Sequence, residues 1–131
     1  MPYVLVVSHD VNARRLLVDN LVRRSYLAVG LASLAEGDRL LQRVVPELIV
    51  LCGQSIDLES DVDLLRSQYS FRSVPIVLVS PDAPDYTWLA TWHIDASLHY
   101  PLDFGQIVDV LQPWLLVAFS QSNNRALPPH Y

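Results

Sequence analysis

Residues 3–7, YVLVV, are five apolar side chains in a row, and SHD follows at once. A run that is apolar at every position, not at every second one, marks a strand buried on both faces of a parallel sheet. From Asp10 to Arg24 the period turns helical, with Ala13, Leu16, Leu17 and Leu21 on one side. On the other side Asp10–Arg14, Arg15–Asp19 and Asp19–Arg23 sit four apart, a spacing that lets opposite charges pair on a helix. A buried strand running straight into an amphipathic helix is one β–α unit.

The same unit recurs along the chain. LAVGL (27–31) is a second strand, and Ser33 with Glu36 reads as a capping box before a helix carrying Leu40, Leu41 and Val44, stopped by Pro46. ELIVL (47–51) is the third strand, and the helix after it carries Leu58, Val62, Leu65 and Tyr69. IVLVS (76–80) is the fourth, and Pro84 suits the first turn of a short helix ending near His93. A weak fifth strand covers about Ala96–His99. The last helix starts at Asp103 and buries Phe104, Ile107, Val108, Leu111 and Leu115, with Pro113 expected to kink or end it near Gln112. Each connection is long enough for a right-handed crossover. The expected fold is α/β, a flavodoxin-like three-layer doubly wound (βα)5 domain with parallel sheet order 2-1-3-4-5. Residues 1–118 form this domain, and 119–131, polar and proline-bearing, read as a flexible C-terminal tail.

Composition narrows the function. At 131 residues the chain is one domain's worth, and 51% hydrophobic against 18% charged residues supports a full core. No apolar stretch approaches the roughly 18 to 20 residues that span a bilayer, and no basic residue precedes the first apolar run as a signal peptide requires. A single cysteine, Cys52, excludes an internal disulfide and fits a cytoplasmic, reducing setting. Net charge is −5 and no basic stripe appears, which argues against nucleic acid. All nine basic residues are Arg. Mechanisms that need a lysine, such as a Schiff base or a P-loop, are excluded.

In doubly wound folds the site lies beyond the carboxyl ends of the strands. Here that means Ser8, His9 and Asp10 after the first strand, Cys52 after the third, Ser80 after the fourth, and His99, Tyr100 and Pro101 after the fifth. SHDVNAR holds no glycine for a flavin phosphate loop, and GxGxxG is absent. An Asp-x-His-x-x-Gly loop for cobalamin is absent too.

Over residues 3–116 the chain resembles the receiver domains of two-component response regulators. The resemblance lies in the VLVVSHDVNARRLL opening, PELIVL, VPIVLVS, Pro101 after the fifth strand and the DFGQIVDVL helix. Carried over residue by residue, it implies a degenerate site. The acidic pair that would hold Mg²⁺ falls on Ser8 and His9, with Asp10 next door. The phosphoacceptor aspartate falls on Cys52, the lysine on Tyr100 and the aromatic switch position on Ser97. Only the Ser/Thr, as Ser80, and the proline, as Pro101, are kept. A serine and an imidazole replace two carboxylates poorly for a hard cation. Without metal or lysine nothing offsets charge on a phosphoryl group. The resemblance therefore implies a pseudo-receiver: no catalytic residue, cofactor or metal, with a histidine kinase or another signalling protein as partner.

Two other readings attach to these residues. Cys52 is either a packing residue or, with His9 lowering its pKa, the contact of a small-ligand, metal or redox sensor. Trp88, Trp92, Tyr100, Phe104 and Trp114 gather in the last third of the chain. They either fill the core or form a homodimer or partner interface on the face built by the fourth helix, fifth strand and fifth helix, with Trp88 and Trp92 four apart on one helix.

Overall fold

The computed structural model describes residues 3–53, 55–69, 71, 73–80, 90, 94–99 and 108–116. The readings placed on Trp88, Trp92, Tyr100, Pro101, Phe104 and the 119–131 tail lie outside the described residues. In chain order come β1 (Val4–Ser8), α1 (Val11–Arg23), β2 (Ala28–Leu31), a 3₁₀ turn (Leu34–Gly37), α2 (Asp38–Arg43), β3 (Leu48–Cys52), α3 (Ser55–Ser67), β4 (Ile76–Ser80) and β5 (Ala96–His99). Residues 108–116 are helical. The strands are parallel and ordered β2-β1-β3-β4-β5, as the sequence leads one to expect.

Every residue of β1, β3 and β4 is buried, whereas β2 is half-buried except for Leu31. Alternation sorts the buried side chains into two apolar layers. Leu5, Val7, Ile49, Leu51, Ile76 and Leu78 pack with Leu41 of α2 and Leu58, Val62 and Leu65 of α3. Val4, Val6, Leu48, Val50, Cys52, Val77 and Val79 pack with Leu17 and Leu21 of α1 and with Val108, Leu111 and Leu115. The sheet lies between α2 and α3 on one face and α1 and the 108–116 helix on the other, a three-layer sandwich. Each fully buried aliphatic side chain contributes about 1.5–3 kcal/mol.

Several local expectations need correction. Asp10 does not pair with Arg14: it is the N-cap of α1, its carboxylate accepting from the amides of Asn12 (2.9 Å) and Ala13 (3.2 Å). Arg14 instead donates from Nη1 to the Ser8 carbonyl at 2.8 Å. The Ser33–Glu36 box is half made. Ser33 caps with no side-chain bond, while Glu36 Oε2 accepts from the Ala32 amide at 2.8 Å, and the segment begins as a 3₁₀ turn. Pro113 does not end the last helix, which runs through it to residue 116. Pro113 and Asp109, four residues before it, are both exposed, so water can take the carbonyl that loses its partner.

Two backbone positions invite substitution. A Cβ on Gly30 would stand 2.9 Å from Arg14 Cγ and 3.1 Å from Val18 Cγ2, so any side chain there forces these α1 side chains to give way. Ser25 ends α1 at φ 68°, with its amide donating to the Val22 carbonyl and the Tyr26 amide to the Leu21 carbonyl, the paired closure in which glycine is the usual residue. Gly30→Val is expected to lower stability by about 1–3 kcal/mol, and Ser25→Gly to raise it by about 0.5–1 kcal/mol. Urea denaturation midpoints of the two variants check both signs.

Candidate functional site

Register brings the strand-end residues together. Ser8 stands opposite Cys52, Cys52 opposite Val79, and Ser80 opposite His99. Ser8, Cys52 and Ser80 therefore cap three adjoining strands at one rim, and they are only 3%, 4% and 1% exposed. Cys52 packs in the layer under α1. Alternation places Ser8 on that same side and Ser80 on the other.

The loop after β1 is closed by its own polar groups. Ser8 Oγ accepts from the Asp10 amide at 3.2 Å and lies 3.4 Å from the Asp10 carbonyl, to which it donates. With Arg14 on the Ser8 carbonyl and the Asp10 carboxylate on two helix amides, Ser8, Asp10 and Arg14 make one knot. His9, between them, is exposed. After β3 the chain turns at Gly53, whose φ of 150° is one that only glycine adopts easily, and its amide donates to the Val79 carbonyl at 3.0 Å.

Burial pushes the Cys52 thiol up to about 12, and the negative charge of Asp10 adds to the rise. The His9 imidazole is felt elsewhere: it draws down the Asp61 carboxyl on α3, which burial raises more strongly. The charged neighbour of Cys52 thus opposes a thiolate. Among the described residues no group of three or more His, Cys, Asp or Glu side chains is placed to hold a metal ion. Ser97 sits opposite Leu78 and is half-buried. Of the five aromatic residues read as an interface only Trp114 is described, and it packs in part against the layer under α1. Val110 and Leu116 on the same helix are exposed.

Sequence reading gave Arg14 the wrong partner and missed Arg66. Arg14 carries a signal in hindsight, because it lies one helical turn beyond Asp10 and over the chain's glycine-containing second strand. Arg66 carries none, since two of its partners, the carbonyls of Phe71 and Val74, are backbone atoms, and its ion-pair partner Asp95 is far from it in sequence.

No protein-family model and no curated protein matches the sequence. Solved structures do match. The chemotaxis protein CheY4 of Vibrio cholerae superposes with a TM-score of 0.75 at 17% identity, over 86% of this chain and 98% of that one. A CheY-like response regulator receiver domain protein from Methanospirillum hungatei gives 0.74 at 16%, over 92% and 98%. The non-phosphorylated HemR receiver domain of Leptospira biflexa gives 0.70 at 17%, over the whole of both chains. The fold is that of CheY-like receiver domains.

The buried thiol has a consequence at alkaline pH. The unfolded chain ionises Cys52 near pH 8.5, while the folded protein keeps it protonated to about 12. The folded state then holds the extra proton, so stability is full below about pH 8.5 and falls as pH rises toward 12. The loss approaches ~1.4 kcal/mol per pH unit. Denaturation between pH 8 and 10 should show this slope, and Cys52→Ala should flatten it.

Proposed function

We propose that this chain is a receiver-like signalling module of two-component type that acts through protein–protein contacts without aspartyl phosphorylation. The observation that carries the reading is the chemistry of the rim: a buried thiol, Cys52, stands where the resemblance calls for a phosphoacceptor carboxylate. The nearest surviving acid, Asp10, is engaged as a helix cap. A thiol offers a hard cation no oxygen ligand, and one carboxylate already engaged in a cap does not replace an acidic cluster. The module needs no catalytic residue or cofactor, and its partner is a histidine kinase or another signalling protein. Nucleic acid and membrane are not its targets; among the described residues no helix is long and apolar enough to cross a bilayer. The alternative, a sensor contacting its ligand through Cys52 and His9, has less behind it, because the thiol is buried and its ionisation opposed.

Incubation with a small phosphodonor and Mg²⁺ should leave the protein's mass unchanged. A retained adduct of about 80 Da would overturn the reading.

For the contact face we favour the fourth-helix, fifth-strand, fifth-helix side, as a homodimer or with another protein. β5 is an edge strand, and Val110, one helical turn before the half-buried Trp114, is exposed on the last helix. Aromatic anchors there would each cover about 150–250 Å². Replacing both Trp88 and Trp92 with Ala should lower the mass measured by light scattering while leaving circular dichroism unchanged. A wild-type protein that is monomeric at high concentration would count against the homodimer.

A further inference from the structure

β5 is a short, half-covered edge strand of the sheet. It has four residues, and Ala96, Ser97 and Leu98 are only half-buried, against full burial along β1, β3 and β4. Ala96 and Leu98 reach one apolar layer and Ile94 the other. Its entry, however, is tied twice to β4: the Asp95 amide donates to the Ile76 carbonyl at 2.9 Å, and the Ile76 amide donates to Asp95 Oδ2 at 2.8 Å. Arg66, at the end of α3, reaches the same carboxylate oxygen with Nη2 at 3.8 Å. Its Nη1 donates to the carbonyls of Phe71 at 2.5 Å and Val74 at 2.8 Å.

We propose that Arg66 and Asp95 form a latch that sets β5 on the sheet separately from the other four strands. One guanidinium joins the end of α3, the segment entering β4 and the start of β5. The Arg66 side chain is 12% exposed, so its charge needs several fixed acceptors at once, which a planar fork of donors meets and a lysine does not. Asp95 supplies the acceptor for the amide that opens β4, and Ile76 is wholly buried. Without that carboxylate the amide is left unpaired in the interior. The latch lies at the amino ends of β4 and β5, across the sheet from Ser8, Cys52 and Ser80. The placement of the edge strand is therefore governed from the end opposite the altered pocket. The inference rests on the fold alone and stands or falls apart from the signalling reading.

Amide hydrogen exchange on the full chain tests it. Asp95→Ala and Arg66→Lys should each speed exchange of the β5 amides bonded to β4 by roughly tenfold or more, with β1 and β3 amides holding their wild-type rates. Asp95→Asn, which keeps an acceptor for Ile76 but loses the charge, should give a smaller, equally local change. It is the variant to read should the other two fail to fold. Unchanged β5 exchange, or equal acceleration in all strands, would overturn the latch.

Discussion

Three adjoining strands with no exposed face govern this structure. Along β1, β3 and β4 every residue is buried, so their amides and carbonyls have few partners other than one another. Leaving one such group unpaired costs about 1–3 kcal/mol. A shift of one residue would also move each side chain to the opposite layer. Register is thereby locked, with Val4 opposite Leu48 and Ile49 opposite Ile76, and the strands end together at Ser8, Cys52 and Ser80. The altered rim is a consequence of core packing before it is a matter of function.

Because that constraint is apolar and periodic, most of it is visible in sequence. Short unbroken runs such as YVLVV and IVLVS, rich in valine, fit strands with two covered faces. Ala13, Leu17 and Leu21 fall on the side that α1 buries, whereas Leu16, read with them, is exposed because it sits a residue round the helix from that stripe. Parallel strand direction follows from the same runs, since a sheet covered on both faces needs a crossover at every connection. The order 2-1-3-4-5 is the one expected of a flavodoxin-like doubly wound domain. Features that depend on backbone acceptors were not legible. Asp10 and Arg14 sit four apart as an ion pair would, yet the free amides at the start of α1 and the free Ser8 carbonyl outcompete that exposed pair, which is worth only a few tenths of a kcal/mol. Likewise Ser33 and Glu36 have the spacing of a capping box, but the chain enters as a 3₁₀ turn and puts the Ala32 amide, not that of Ser33, before the carboxylate. Pro113 misled for the converse reason, as an exposed carbonyl has water to fall back on.

Long-range polar contacts at element ends escape a sequence reading. Tyr69 donates to the Asp38 carboxylate at the start of α2, and Tyr3 donates to the Val44 carbonyl at 2.8 Å. Arg24 reaches Asp109 at 2.5 Å, while Gln112 donates to the Tyr26 hydroxyl at 3.0 Å. Each joins segments at least 31 residues apart, and none has a local spacing to announce it. Together they fasten helix ends to neighbouring elements, where apolar packing thins out and hydrogen bonds decide orientation.

The electrostatics of the rim follow from one exchange of chemistry. A cluster of carboxylates at strand ends repels itself and needs water or a cation to stay ionised. Ser8 and Cys52 carry no charge at neutral pH, so the rim can close, and both residues are buried. The start of α1 would otherwise attract an anion through its unpaired amides and the helix dipole. Asp10 satisfies that demand from within the chain, two of those amides donating to its carboxylate. Burial holds the Cys52 thiol in its neutral form, and the same negative charge adds to that. Helix start and strand end are thus compatible: the neutral thiol lets the strand end stay buried close to the charged cap, where a second carboxylate would be both desolvated and repelled.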